Sequence, residues 1–181
     1  MSTKNLLDEL AQITDNNKKV ALSFLQMEEE QLNQRYAAQS WSILECIEHL
    51  NRYGDFYIPE ISKQLAASAY PHDAVFRSGW LGNYFAQSML PKQPLNKMKT
   101  FAAMNPIGSS LNHDVIHTFI QQQEQLLQLI DQARLSDLNR IKTAISISHW
   151  IRLRLGDTLR VVVYHNWRHI VQAQNIHQSE G

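Results

Sequence analysis

Apolar positions in the first thirty residues, Leu6, Leu10, Ile13, Val20, Phe24 and Met27, return to one face at about 100° per residue, the period of an amphipathic helix. They predict a first helix from Lys4 to the low thirties, capped by Ser2 or Thr3, with Glu28, Glu29 and Glu30 as a solvated face. A second helix starts after Trp41, where Ser42 and Glu45 stand at capping-box spacing ahead of the stripe Ile43, Cys46, Ile47, Leu50, Gly54 and Tyr57. Pro59 lacks a ladder donor and either kinks this helix or ends its regular part, and the helix is expected to run on to about Ala67.

From Tyr70 to Ser110 no period persists. Pro71, Pro91, Pro94 and Pro106, with Gly79, Gly82 and Gly108, predict a long connection holding a short helix around Leu81 to Met89. Connections of this length in a compact domain are usually functional, which makes residues 70–110 a candidate lid. A third helix over Asn112 to Ala133 carries Ile116, Phe119, Ile120, Leu126, Leu127 and Ile130 on one side and the QQQEQ tract mostly on the other. A second connection, Leu135 to Leu155, includes the alternating stretch Ala144 to Ser148, extended in character but too isolated to make a sheet. A fourth helix starts near Gly156 with Asp157 as its cap and runs to about Ile176. Four amphipathic helices, two long connections and no strand set predict an all-α four-helix bundle forming a single domain over residues 1–181.

Composition narrows the function classes. With 44% hydrophobic and 19% charged residues the chain can bury a core, and one cysteine supports no disulfide framework, which favours a reducing, cytoplasmic setting. Lys plus Arg and Asp plus Glu both number 17, so no overall charge recommends nucleic acid or an anionic membrane as partner. The opening MSTKNLLDELAQ lacks the pattern of a secretory leader, and apolar runs fall far short of the roughly 20 residues of a membrane span, so a soluble protein is expected. The Tyr70 to Ser110 connection sets Arg77, Lys92, Lys97 and Lys99 against Asp73 alone. That excess is either a solvated basic loop or an attraction for an anionic ligand.

Eight histidines are the informative feature of a neutral chain. His165 and His169 in YHNWRHIVQAQN stack one turn apart on the fourth helix, a bidentate metal clamp by geometry. A helical wheel puts them on the flank of the stripe Leu159, Val162, Val163, Ile170 and Ala173. His49 takes the equivalent edge position on the second helix, between Glu45 and Tyr53. If the two flanks face each other, three imidazoles converge, the ligand count of a catalytic zinc-type site with open positions. The spacing is cheap, however. His113 and His117 repeat it on the third helix, where an exposed or capping role is expected, and surface or core histidines satisfy it equally.

The segments Gln31-Leu32-Asn33, Trp41-Ser42-Ile43-Leu44-Glu45-Cys46-Ile47-Glu48-His49-Leu50, Leu155-Gly156-Asp157 and His165-Asn166-Trp167-Arg168-His169-Ile170-Val171-Gln172 together resemble the DinB-like superfamily. The stretch Gly79-Trp80-Leu81-Gly82-Asn83 through Lys97-Met98-Lys99-Thr100 resembles one branch of it. The resemblance implies an up-down-down-up four-helix bundle and a divalent metal, zinc or nickel, on His49, His165 and His169. It also implies frequent homodimers and, in some members, thiol-dependent enzymes that use low-molecular-weight thiols as S-transferases or isomerases. Fold and site transfer through such a resemblance better than chemistry does.

Two functions are then expected in competition. One is a metal-dependent enzyme in which a thiol or water at an open metal position attacks a small electrophile; the other is a non-catalytic metal-binding or stress-associated helical protein. Tyr53 and Gln172 are expected at the pocket rim. Glu45 is placed there too, although its capping role already accounts for it. Cys46 is expected to be a buried small hydrophobe, the four tryptophans core or rim aromatics, and Arg168 a solvated or interface residue.

Overall fold

The computed structural model describes residues 1–92, Leu95 and residues 99–178; Pro94, Lys97 and Met98 lie outside the described residues. Helix α1 spans Thr3–Phe24 and starts where the Ser2 hydroxyl accepts from the Asn5 amide. The chain then turns, so the expected single helix is two. A short α2, Glu29–Asn33, opens with Glu28 as its cap and Gln31 reaching back to the Glu28 amide. Part of the acidic run thus starts a new helix.

Helix α3, Ile43–Ala66, begins on the predicted capping box: Ser42 Oγ accepts from Glu45 N–H, and Glu45 Oε2 accepts from Ser42 N–H. It continues through Pro59. The short helix of the long connection is α4, Trp80–Met89, followed by a single 3-10 turn over Ala102–Met104. Helix α5 is Asp114–Ala133 with His113 at its N-cap, and α6 is Leu155–Gln178.

The second connection forms strands where none were expected. β1, Lys142–Ile145, and β2, Ser148–Arg154, pair antiparallel as a hairpin with a register irregularity between Ala144 and Ile145. Sequence alternation alone could not support it, but the bundle does. Thr143, Ile145 and Leu153 are buried, and the Ala144 amide donates to Glu60 of α3. A two-stranded ribbon that is marginal in water gains from such a covered face.

The four long helices form the core, α1 and α3 each packing against both α5 and α6. One apolar cluster gathers the N-terminal part of α1 (Leu6, Leu10), the C-terminal half of α3 (Tyr57, Ile61), the C-terminal half of α5 (Leu126, Ile130) and the start of α6 (Leu155, Leu159). The other gathers the opposite ends, with Ala21, Phe24, Ile43, Ile47, Ile116, Phe119, Ile170 and Ala173. Buried polar side chains lie between them: Asn166 donates to Gln123, and Gln122 donates to the Asn51 carbonyl and to Asp55. A Cβ at Gly54 would displace the Gln122 side-chain amide from this position.

Asp157 is the third residue of α6 rather than its cap. Fully buried, it accepts from the Gly79 amide at 2.8 Å and from the Ser78 hydroxyl, and it lies 3.4 Å from Arg160 Nη1. It anchors the start of α4 to α6. Arg168 is buried rather than solvated, because α6 packs against α1, α3, α4 and the hairpin and is enclosed well beyond one stripe. Trp80 and Trp150, expected in core or rim, are 86% and 96% exposed on the outer sides of α4 and β2. Among the described residues no helix is long and apolar enough to cross a membrane.

Candidate metal centre

Helices α3 and α6 pack side by side, and this brings His49 together with His165 and His169. The potential ligand nitrogens of the three lie within 4.8 Å of one another, and His49 Nε2 stands 3.2 Å from His165 Nε2. The rings meet edge to face, with centroids 4.6 to 5.0 Å apart. Among the described residues this is the one group of three His, Cys, Asp or Glu side chains able to reach a common ion. The wheel put the histidines on the flanks of their helices, between core and solvent. They are instead at most 9% exposed: the Trp41 ring lies 4.7 Å from His49 and 5.6 Å from His169, and the Tyr53 ring 4.7 Å from His165.

Two of the three imidazoles are oriented by their second nitrogen. His49 Nδ1–H donates to the Met104 carbonyl at 2.7 Å, and His169 Nδ1–H donates to Gln172 Oε1 at 2.9 Å. A neutral ring that donates from Nδ1 presents an unprotonated Nε2, the tautomer a metal requires. Burial, the largest cause in each case, pushes His49 down to about 4 and His169 to about 3. His165 is pushed well below its ordinary value, first by burial and then by His169 and His49. The triad is therefore neutral at physiological pH, with its lone pairs available.

The donor set fits a divalent ion. Two imidazole nitrogens on one tetrahedral zinc, with bonds of about 2.0–2.1 Å, stand about 3.3 Å apart, close to the 3.2 Å between His49 and His165. Three neutral nitrogens would leave the charge of the ion uncompensated and its remaining positions open.

The residues expected at the rim divide. Tyr53 packs edge-on against both His49 and His165, at 5.0 and 4.7 Å, and lines the adjoining cavity. Gln172 reaches the triad as the partner of His169. Glu45 is turned elsewhere: it accepts from the Ser42 and Gly108 amides and forms a two-pronged pair with Arg35. Cys46 is a fully buried free thiol whose pKa burial raises far above the ordinary range. The rival pair plays no comparable part. His113 caps α5 and bonds Glu29 and the Met27 carbonyl, while His117 is exposed.

Two parts of the site had no signal in the side-chain pattern. One is the Met104 carbonyl, a main-chain group of the long connection. The other is a cavity of about 300 Å³ that opens beside His165, walled by α3, α4, α6, Phe101 and the hairpin. The aromatic pair Tyr84-Phe85 and the apolar alternation around Ile145 were legible as sequence, but the wall they share was not.

A sequence profile of the DinB superfamily matches residues 12–173. No curated protein matches the chain. Among solved structures it is similar to YfiT from Bacillus subtilis, described as "a probable metal-dependent hydrolase with an unusual four-helix bundle topology". The TM-score is 0.59 with 12% sequence identity, over 97% of this chain and 87% of the other, and at that identity the likeness shows the fold alone.

Proposed function

This chain belongs to the DinB superfamily, and on that footing we propose that it is a metal-dependent enzyme whose divalent ion, zinc or nickel, is held by His49, His165 and His169. The observation that carries the proposal is the convergence of three buried imidazoles, two of them oriented by Nδ1 donation to Met104 and Gln172. When bound, the ion supplies Lewis acidity, lowering the pKa of a water or thiol at an open position so that it is a nucleophile at neutral pH.

The protein's own residues supply position and dryness. Met104 and Gln172 fix the rotation of two rings, Trp41 shields them from solvent, and Tyr53 joins the triad to the cavity where a small-molecule substrate would sit. Hydrolysis and thiol S-transfer are the two reactions this arrangement serves. The description of YfiT supports the first, and the resemblance to a superfamily in which some members use low-molecular-weight thiols supports the second.

The same reading takes the helices as an up-down-down-up bundle, supported by the way each core cluster gathers the same end of α1 and α6 with the opposite ends of α3 and α5. It takes the protein as cytoplasmic, supported by its single buried free thiol, and as a homodimer through exposed aromatics such as Trp80 and Trp150. Equilibrium sedimentation tests the last.

The deciding experiment is elemental analysis of untagged protein, followed by turnover assays of the metal-loaded form. Activated esters are offered with water as nucleophile, and electrophiles with a low-molecular-weight thiol. Catalysis abolished by His49→Ala is expected. Full metal loading with only the uncatalysed rate across both panels would leave a non-catalytic metal-binding protein.

A further inference from the structure

The cavity beside His165 carries information about the ligand that the triad does not. Among the described residues its lining contains no Asp, Glu, Lys or Arg, and His165, the one histidine of the described wall, belongs to the neutral triad. The walls are aromatic and aliphatic, with Tyr53, Tyr57, Phe85, Met89, Leu153 and Val162 facing the space. Three of the polar side chains in the wall are engaged within the protein. Tyr57 Oη accepts from the Ser146 amide at 3.3 Å, Ser88 Oγ donates to the Phe85 carbonyl at 2.7 Å, and Asn166 donates to Gln123 at 3.2 Å.

Three residues that also line the space, Tyr84, Phe101 and Ile147, are about half exposed or more, so the mouth lies between α4, residue 101 and the turn of the hairpin. A carboxylate, phosphate or ammonium held among these walls away from the triad would lose its hydration and meet no side chain of opposite charge among the described residues, a loss that apolar contacts do not offset. The volume, about 300 Å³, lies at the small end of the range for ligand sites.

We propose that this cavity binds an uncharged, predominantly apolar small molecule, an aryl or alkyl compound no bulkier than a bicyclic aromatic, with its reacting end toward His165. Arg77, Lys92 and Lys99 therefore do not select the molecule held here, since none of them belongs to the wall. The inference deepens the metal-enzyme reading. It relies on that reading for the direction of the reacting end, and binding itself needs only the cavity.

The test is calorimetric titration of the full chain at neutral pH with 1-naphthol and with its anionic counterpart 1-naphthoate. It uses zinc-loaded wild type, metal-stripped wild type, and Ser88→Phe, which fills the space from α4 without touching the triad. Met89→Trp is a second filling variant should Ser88→Phe not fold. Naphthol is expected to bind both wild-type forms with a negative heat-capacity change, and naphthoate to bind the metal-stripped form, where no cation can ligate its carboxylate, roughly tenfold more weakly or worse. Either filling variant should weaken naphthol by a similar factor while retaining its zinc.

Naphthoate binding the metal-stripped wild type as tightly as naphthol, or naphthol binding undiminished in a folded filling variant, overturns the proposal. So does a wild type that holds zinc and ignores naphthol. A wild type that binds naphthol but no zinc overturns the metal reading instead, and leaves the ligand class standing.

Discussion

His49 Nδ1 and the Met104 carbonyl, 55 positions apart in sequence, are joined by a 2.7 Å hydrogen bond that sets which nitrogen His49 turns toward the other two histidines. The bond depends on a segment fastened to α3 from several sides. Arg52 donates to the Ala103 and Asn105 carbonyls, Trp41 donates to Asn105 Oδ1, and the Gly108 amide donates to Glu45. The far end of the long connection is thus part of the site.

Arg52→Ala should therefore weaken metal binding although Arg52 touches no metal ligand. Losses from disturbed outer partners run about 10- to 100-fold, and this indirect one is expected near the lower bound. Competition with a chelator measures it. Unchanged affinity would mean that the Met104 carbonyl stays in place without Arg52.

Wild type should carry one ion per chain, and His49→Ala, His165→Ala or His169→Ala should each lose most of it, since each removes one of three protein ligands. The double variant His113→Ala with His117→Ala is the control and should keep its metal, because those side chains lie apart from the cluster. Reversal of the two results would move the site to α5.

The metal-free protein should lose stability on acidification in a defined window. Burial holds His49 down to about 4 and His169 to about 3, below the ordinary value of 6.5, so the unfolded chain binds more protons than the native one as pH falls below 6.5. Stability is fully present above pH 6.5 and declines toward the native values, at pH 5 by about 2 kcal/mol for each histidine that must charge on unfolding. Urea unfolding of His49→Phe should show a shallower decline between pH 7 and pH 5 than wild type. Bound metal should be released over the same acid range, because protons compete for the same nitrogens.

Asp157→Ala should destabilise the fold by about 3–5 kcal/mol, the loss typical when one partner of a buried ion pair is removed. It strands Arg160 and deprives the Gly79 amide and Ser78 hydroxyl of their acceptor. Denaturant melts check the magnitude. Release of α4 in the variant should also show as faster proteolysis within residues 76–90.

Cys46 should resist thiol reagents in the native state. It is fully buried and its pKa is raised by burial, so no thiolate is presented to a reagent. Its labelling rate should follow global unfolding in denaturant. Rapid labelling of folded protein would show that the end of the bundle lined by Ile43 and Ile47 opens locally.

Local patterns in the chain already specified the helices. The Ser42 and Glu45 spacing fixed the start of α3, and a 3.6-residue period marked the buried faces of α1, α3 and α5, because helix caps and amphipathic stripes depend on residues three or four apart. The His165 and His169 pair was legible for the same reason, and with His49 it carried the resemblance to the family that the profile match then showed. Tertiary structure decided the rest. That His49 rather than His113 joins the pair follows from α3 packing beside α6, a contact over 116 positions that no local period encodes. The hairpin exists because Thr143, Ile145 and Leu153 find a bundle to cover them, and Arg168 is buried because several elements enclose α6. The Met104 carbonyl and the cavity beside His165 are properties of where distant segments meet, and a main-chain acceptor or an empty volume leaves no residue type in the sequence to mark it.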